Sequence, residues 1–303
     1  MRRSPPSLTL RPRLERLEDR TVPSTFTATN YSDLVTDINA ANAAGGANTI
    51  NLVPGVTYTL GYFFASSGQL VHGLPVIGAN DSLTIHGQGD VIERSTTGQS
   101  PVFGLFSVAA GASLTMDNMT MQGGYSYYGG GAISNQGNLT LNGVTVQNNT
   151  ARGPDGTPTH AGGSVYGGGI YSTGTLTLDN CIIRQNSAIG GKGGDGALVS
   201  GYYGYYYAPG GAGGYARGGS IYIGSGTVAI HHTTITANSA TGGAGGNGSH
   251  GSADGLPGLG EGGGIYISAG SSVGLDAFTV SHVQKNKAST SGDNVVGTYS
   301  VIP

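Results

Sequence analysis

The chain has little charge, one cysteine, no tryptophan and no long apolar run. Only 10% of its 303 residues are charged. A single cysteine excludes an intrachain disulfide framework, and Cys181 lies in an apolar strand pattern, where we expect a buried, unreactive thiol. No apolar run approaches the ~18 residues of a membrane-spanning helix, so we predict no transmembrane segment.

Basic residues are scarce beyond the N-terminus. Six of the 13 Lys and Arg lie in the first 20 positions, and after them acidic residues outnumber basic ones by 13 to 7. A nucleic-acid surface needs clustered Lys and Arg, so we predict no nucleic-acid partner. Residues 1–24 also lack the apolar core of an ordinary signal peptide, and we expect them to be disordered or to serve export.

Glycine is abundant, with 58 residues. The chain has no Gly-X-Y period, which excludes collagen and leaves disorder or an all-β fold with many turns. Repeats favour the second, because four segments align: 129–151, 167–188, 218–240 and 262–288, with a weaker relative at 106–124. Each unit has about 22 residues and three short β-type runs separated by Gly or Asn turns.

The apolar residues of these runs alternate with polar ones, as in half-buried strands. The middle runs carry Leu139/Leu141, Leu176/Leu178, Val228/Ile230 and Val273/Leu275. The third runs carry Val144/Val146, Cys181/Ile183, Thr233/Ile235 and Phe278/Val280, with Thr145, Thr234 and Thr279 expected to point outward. So small a unit cannot bury its own apolar face, but stacked units can. We therefore predict an all-β domain over residues 25–303, a single-stranded right-handed parallel β-helix of about seven or eight coils.

Two structural features accompany the coils. Apolar residues at helical spacing predict a short capping helix over about 32–44, with Ser32 as N-cap and Gly45 as its stop, which would cover the first open β edge. An asparagine recurs after each third run, where the amides can stack into a ladder and the backbone can be left-handed. These structural asparagines are Asn149, Asn186, Asn238 and Asn286.

The sequences "GGAI…NN" and "GGGIY…QNSA" resemble the repeats of chlamydial polymorphic outer membrane proteins and related adhesins of the pectin-lyase-like fold. The resemblance covers roughly 106–290. The segment "RLERLEDRTVPS" and the residues after it look like the N-termini of envelope-associated β-helix proteins of planctomycete bacteria. Together these resemblances imply an exported, adhesive protein in the cell envelope or outside the cell, although a fold alone assigns no function.

Long insertions at 152–166, 189–217 and 241–261 fall at the same point of successive coils, so we expect them to emerge along one face. Ten of the 17 tyrosines lie there or at 123–130: Tyr125, Tyr127, Tyr128, Tyr166, Tyr202, Tyr203, Tyr205, Tyr206, Tyr207 and Tyr215. Tyrosine on a rigid scaffold is suited to binding a glycan or a protein. The alternatives are that these rings cover an apolar flank of the β-helix or belong to disordered filler.

Catalysis and metal binding have weaker signals. Asp117, Asp179 and Asp276 align in three coils, with Asn142 and His231 between them, but Asp and Asn are also typical turn residues. The single "GGKGGD" at 190–195 and the aspartates and histidines of the insertions give no converging ligand set, so we predict no cofactor and no metal. The sequence thus favours a non-enzymatic exported surface or matrix protein, and the alternative is a polysaccharide lyase or glycoside hydrolase.

Overall fold

The computed structural model describes residues 23–65, 71–97, 101–201 and 204–303. Strands of successive repeats pair in parallel, so that Leu139 lies beside Leu176 and Leu176 beside Val228. Each repeat therefore adds one coil to a parallel β-helix, and the predicted fold class is confirmed. Of the N-terminal segment 1–24, residues 1–22 lie outside the described residues, and Ser24 begins the first strand.

Sheet 1 contains 14 strands in two adjoining columns. Its first column stacks nine strands, which makes eight coils: Ser24–Ala28, Gly46–Leu52, Asp81–Arg94, Ser113–Gln122, Asn138–Asn142, Thr175–Asp179, Thr227–His231, Ser272–Asp276 and Ser300–Ile302. The two long strands bend into the second column, which also holds Thr57–Leu60, Thr145–Gln147, Ile182–Arg184, Thr234–Thr236 and Val283–Gln284.

Three further sheets complete the coils. Sheet 2 contains Phe106–Val108, Ile133–Asn135, Ile170–Ser172, Ile221–Ile223, Ile265–Ile267 and Val295–Val296. Sheet 3 contains Tyr125–Ser126, Thr150–Arg152, Ser187–Ile189, Ser239–Thr241 and Lys287–Ala288. Sheet 4 contains Val165–Tyr166, Ala216–Arg217 and Gly260–Glu261, and two small antiparallel pairs join Phe64–Ala65 to Val71–His72 and Leu198–Gly201 to Gly204–Tyr207. Sheets 3 and 4 add strands to the three that we predicted for each unit.

The interior is filled by aligned apolar side chains. Leu178, Ile183 and Ile221 are completely buried, each on a different column of strands. Burial of such a side chain stabilises a fold by about 1.5–3 kcal/mol, and the stack repeats it in every coil. A second, smaller cluster fills the space between sheets 3 and 4, with Ala151, Val165, Ala188, Ala216 and Ala240.

Helix α1 spans Tyr31–Ala44 and closes the first coil. Leu34, Ile38 and Ala41 are buried against the core, as the helical spacing predicts. The N-cap is Asn30 rather than the predicted Ser32, because the Asn30 side chain accepts a hydrogen bond from the Asp33 amide at 3.1 Å. Gly45 ends the helix with φ of 63°, a conformation that glycine adopts without strain.

Helix α2 spans Ala277–His282 and corrects one predicted strand. We expected Phe278 and Val280 to alternate in a third run with Thr279 outward, but Thr279 is fully buried. The Asp276 carboxylate accepts a hydrogen bond from the Thr279 amide at 2.7 Å and starts a helical turn. The third strand follows at Val283–Gln284, where Val283 pairs with Ile235.

The four predicted asparagines form a buried, hydrogen-bonded ladder. The side-chain amide of Asn149 donates to Asn186, that of Asn186 to Asn238 and that of Asn238 to Asn286, at 3.0, 3.0 and 2.9 Å. Asn294 adds a further rung by accepting from Asn286 at 3.1 Å. Each carboxamide therefore satisfies its neighbours inside the coil, where an unpaired polar group costs about 1–3 kcal/mol.

The left-handed backbone that we expected at these asparagines lies one residue earlier. The residues there have φ of 54–56°: Asn148, Gln185, Ala237 and Lys285. In each coil, this geometry turns the chain so that the next residue enters the asparagine ladder. Three of the four coils place a residue other than Asn or Gly in that conformation, which costs roughly 1–2 kcal/mol.

The insertions pack into a bundle of extended arms, which we call the glycine bundle. Each insertion runs outward and back. In the second insertion, the returning Gly211 and Gly214 amides donate to the carbonyls of Gly194 and Gly191 at 2.8 and 2.9 Å. Adjacent insertions stack in parallel, and Gly190, Gly193 and Gly196 donate to Thr241, Ala244 and Asn247.

These hydrogen bonds recur every third residue in both partners, which is the period of the polyproline II helix. That conformation makes no internal hydrogen bonds, so its amides are free to bond neighbouring arms. The arms approach so closely that only glycine fits: a methyl group on Gly191 would collide with the Pro154 carbonyl, and one on Gly194 with that of Thr157. The insertions therefore contain a local glycine period of three that we did not predict, and these glycines are packing positions.

Candidate functional site

Of the predicted tyrosines, Tyr202 and Tyr203 lie outside the described residues. The other eight have different surroundings: Tyr125 contacts Tyr127 edge-on, Tyr128 and Tyr166 line one groove, the Arg217 guanidinium lies over the Tyr215 ring, and Tyr205 to Tyr207 share one hairpin. Tyr127, Tyr128 and Tyr215 are exposed by 43%, 38% and 43%, so these three rings present much of their surface to solvent.

Tyr205, Tyr206 and Tyr207 lie on the antiparallel hairpin formed by Leu198–Gly201 and Gly204–Tyr207, which we call the tyrosine hairpin. Tyr205 is 77% exposed. Tyr207 stacks on His250 with ring centroids 4.0 Å apart. The hairpin joins the two arms of the second insertion and therefore stands at the outer end of the glycine bundle, about 20 Å from its base at ~3.1 Å per residue.

Sequence reasoning missed a stack of three tyrosines along sheet 2. Tyr171, Tyr222 and Tyr266 are in register in successive coils. Their ring centroids are 5.5 Å apart at each step, with interplanar angles of 3° and 12°. We call them the tyrosine ladder. The signal was the Ile-Tyr dipeptide that recurs at one point of three repeats.

Tyr166 attaches the insertion face to this ladder. Its ring lies 4.8 Å from that of Tyr222 and 6.5 Å from that of Tyr171. Burial raises the pKa of Tyr171, and the neighbouring Tyr222 and Tyr166 raise it further. The Tyr171 hydroxyl therefore stays protonated and able to donate a hydrogen bond.

The two ends of the ladder differ. At one end, the residue in register with Tyr266 is Val296. Arg217 flanks the ladder, with its guanidinium 5.0 Å from the Tyr266 ring and paired with Glu261 at 2.8 Å. At the other end, the residue in register with Tyr171 is Ser134, and the next coil again carries a serine, Ser107. The stack of rings therefore stops at Tyr171.

A groove of about 300 Å³ opens at the end where the rings stop. It is lined by Tyr128, Gly129, Ser134, Gln136, Ser164, Tyr166 and Tyr171. None of these seven residues carries a charge. The site thus combines aromatic surface with an amide and hydroxyl groups, which is the mixture expected of a small polar ligand site.

The aligned aspartates lie on sheet 1, where strands of its first column end or bend into the second column. Asn142 pairs with Asp117 on one side and Asp179 on the other, and Asp179 pairs with His231. Asp117 contacts His86 at 2.6 Å, and a cavity of about 550 Å³ borders both Asp117 and Asp179.

Asp276, the third aligned acid, is committed to structure. Although burial alone would raise its pKa, hydrogen bonds from Thr279 and from the His232 amide lower that pKa to about 2. It caps helix α2 as a carboxylate. Among the described residues, no group of three His, Cys, Asp or Glu side chains converges on a metal position.

The "GGKGGD" segment links layers of the glycine bundle. The Asp155 and Asp195 carboxylates each accept a hydrogen bond at 2.9 Å from the backbone of the next layer, from Lys192 and Asn247 respectively. These bonds hold the pKa of both carboxyls below the ordinary value. Lys192 also pairs with Asp195 at 3.0 Å. Asp195 of this segment and Asp155 of the first insertion therefore each join two layers of the bundle.

The single thiol is buried. Cys181 is 1% exposed and its sulfur lies 3.3 Å from the carbonyls of Leu141 and Asp179. Burial raises the pKa of this thiol to about 11, so it remains protonated at neutral pH.

Comparison with known proteins yields no match to a family model, to a characterised protein or to a solved structure. In the part of the chain that the structure describes, no helix has the length and apolar character needed to cross a membrane.

Proposed function

We propose that this chain is a non-enzymatic, exported surface or matrix protein that makes adhesive contacts to a glycan or a surface protein through its loop-bearing face. The observation that carries the proposal is the aromatic surface on that face. The uncharged groove at Tyr128, Tyr166 and Tyr171 and the exposed tyrosine hairpin both stand on a hydrogen-bonded scaffold. Side chains held by such a scaffold lose little entropy when they bind.

The sequence resemblances support the same proposal. The repeats resemble those of polymorphic outer membrane proteins and related adhesins, and the N-terminal segment resembles those of planctomycete envelope proteins. Export would place the loop-bearing face in contact with polymers outside the cell. The glycine bundle supports it further, because it holds the tyrosine hairpin about 20 Å beyond its base.

Retention of the purified full chain on coated surfaces tests the proposal. Surfaces carry neutral polysaccharides, acidic polysaccharides or extracellular matrix proteins, and bound protein is quantified after washing. A variant with Tyr128, Tyr205, Tyr206 and Tyr207 all changed to Ser should lose most of the retention. The control is Ile182→Ser, which removes an apolar side chain of 43% exposure from sheet 1. Equal retention of both variants would reject the loop-bearing face as the adhesive surface.

The alternative is a glycoside hydrolase, and one observation favours it. Asp117 and Asp179 border one cavity and lie two coils apart, which is about 9.6 Å at ~4.8 Å per coil. This backbone spacing is just above the upper end of the range of about 6.5–9.5 Å that inverting hydrolases place between their two carboxyl groups. Release of reducing ends from a polysaccharide, abolished by Asp179→Asn, would establish this function in place of the adhesive one.

A further inference from the structure

Threonine occupies one outward-facing position of sheet 1 in six successive strands of its first column. The strands pair there without a shift of register, so each threonine lies directly beside the next. We call these residues the threonine column: Thr25, Thr49, Thr84, Thr115, Thr140 and Thr177. The column ends at Ala229, which follows Thr177 in register.

Strand propensity alone does not account for the threonine column, because valine, isoleucine and tyrosine suit a strand equally well. The second column of the same sheet shows such a mixture. At one outward-facing position it carries Val91, Thr120, Thr145, Ile182 and Thr234 in register. A single residue type in six successive strands therefore points to a requirement of the outer surface.

The hydroxyl groups of the column are not used by the protein. In the described part of the chain, the six threonine side chains make no hydrogen bond to another protein group. Thr25 is exposed, and the other five are half-buried by their neighbours. Because a β-branched side chain has few χ1 rotamers, the strands present these hydroxyl and methyl groups in a repeating order.

A row of small uncharged side chains lies beside the column. Residues two positions earlier in a strand point to the same side, about 6.6 Å away. They are Ser82, Ser113, Asn138 and Thr175. Residues two positions later bring in charge, with His86, Asp117, Asn142 and Asp179. The uncharged surface is therefore two residues wide and follows the stack of coils.

We propose that the threonine column and the row beside it bind ice. Water molecules in ice form tetrahedral hydrogen bonds of about 2.75 Å, which places second-neighbour oxygens about 4.5 Å apart. The threonines repeat every ~4.8 Å. Over the five steps from Thr25 to Thr177 the difference adds up to about 1.5 Å. This is less than half of the lattice spacing, so one register with the ice holds along the column.

The periodicity of the column favours ice over a single small ligand. Each hydroxyl gains little from a new partner, because liquid water already satisfies it. A sugar or a short peptide would engage only part of a row about 24 Å long, whereas an ice surface repeats its polar groups along the whole row. The gains then add, and the ordered side chains lose little entropy on binding. A charged side chain would oppose this contact, because it holds its own hydration shell.

Thermal hysteresis and partition into slowly growing ice test the proposal with the purified full chain. The wild-type protein should separate the freezing point of an ice crystal from its melting point and should concentrate in the ice. Thr140→Tyr should lose most of both activities, because the introduced ring stands above the hydroxyl groups of the column. Thr145→Tyr is the matched control, because it makes the same change in the next strand, outside the column, and should keep both activities.

Two further variants extend the test. Tyrosine is a good strand former, and equal thermal midpoints of the first two variants check that both fold. Thr115→Tyr repeats the block one coil away if Thr140→Tyr has a lowered midpoint. Ala229→Thr places a seventh threonine in register with Thr177 and should raise the hysteresis above that of the wild type.

The absence of hysteresis and of ice partition in the wild-type protein would overturn the proposal. So would equal activity of Thr140→Tyr and Thr145→Tyr, or binding to crystalline cellulose without any effect on ice. Loss of hysteresis in the variant with Tyr128, Tyr205, Tyr206 and Tyr207 changed to Ser, but not in Thr140→Tyr, would assign ice binding to the loop-bearing face instead.

The proposal does not depend on the adhesive function, because it uses sheet 1 and not the loop-bearing face. Retention on coated surfaces tests adhesion separately. Thr140→Tyr should leave that retention unchanged, so the failure of one proposal leaves the other standing.

Discussion

The β-helix coils and the glycine bundle both pair their backbones with neighbouring coils or layers, but side chains have opposite roles in the two regions. The coils bring apolar side chains such as Leu178 and Ile183 into a closed interior, whereas the bundle arms approach until glycine alone fits between carbonyls. The coils are thus stabilised largely by burial of side chains. The bundle is stabilised by backbone hydrogen bonds, which its arms can form because glycine has no side chain.

This difference predicts a global response to damage in the coils. Asn186→Ala removes a side-chain oxygen that accepts two buried hydrogen bonds, from the backbone amide and the side-chain amide of Asn149, at 3.1 and 3.0 Å. We expect a loss of about 2–6 kcal/mol in the free energy of unfolding, since the two orphaned groups cost about 1–3 kcal/mol each. Urea unfolding measures it, with the exposed Asn138→Ala as control. Comparable losses in the two variants would contradict a structural role for the ladder.

Damage to the bundle should stay local. Gly191→Ala introduces a methyl group against the Pro154 carbonyl, and overpacking typically costs about 1–3 kcal/mol. Because this arm is part of an insertion, hydrogen exchange should accelerate at Gly163 and Gly214 while sheet 2 remains protected. Gly61→Ala is the control, since a methyl group there meets no atom within 4 Å. Uniform acceleration across the coils would show that the bundle and the β-helix unfold together.

Acid should act on the coils through Asp276. Its pKa of about 2 in the folded protein lies below the ordinary value near 3.8. The carboxylate therefore stabilises the fold fully above about pH 4, and this contribution disappears as the pH falls toward 2. Asp276→Asn keeps a capping side chain and should flatten the decline of the thermal midpoint over that interval. An unchanged decline would place the acid sensitivity elsewhere.

The smallest effect should be a gain. Ala237 is exposed and has φ of 56°, so Ala237→Gly should relieve strain and stabilise the coil by about 0.5–1 kcal/mol. Ala229→Gly, in the strand of the same coil, should lower stability by a similar amount. Chemical unfolding of both variants measures the two changes. A change of the same sign in the free energy of unfolding would mean that strain at the turn does not lower the stability of this repeat.

The coils could be predicted because their signal is local and repeated. Alternating Leu, Ile and Val within each unit are enough to place strands, and a recurring asparagine marks the turn. The segment after Asp276 misled the same logic. Phe278 and Val280 alternate as in a strand, but one carboxylate that captures the Thr279 amide starts a helix instead.

The bundle and the tyrosine ladder could not be derived in the same way. Bundle arms have no apolar periodicity, and their partners are set by hydrogen bonds between segments such as Gly191 and Gly163. The groove depends on which rings meet across coils, and on the absence of one at Ser134. Composition drew attention to the insertion tyrosines, whereas the ladder follows from register.

The triplet spacing of the bundle has a consequence for how its length can change. A deletion of three residues from an outgoing arm, matched by three from the returning arm, keeps glycine at every crowded position. A deletion of one residue shifts a bulky side chain into the gap that Gly194 now occupies. The lengths of these insertions in natural variants should therefore differ by multiples of three residues in each arm, with the outgoing and returning arms changed together.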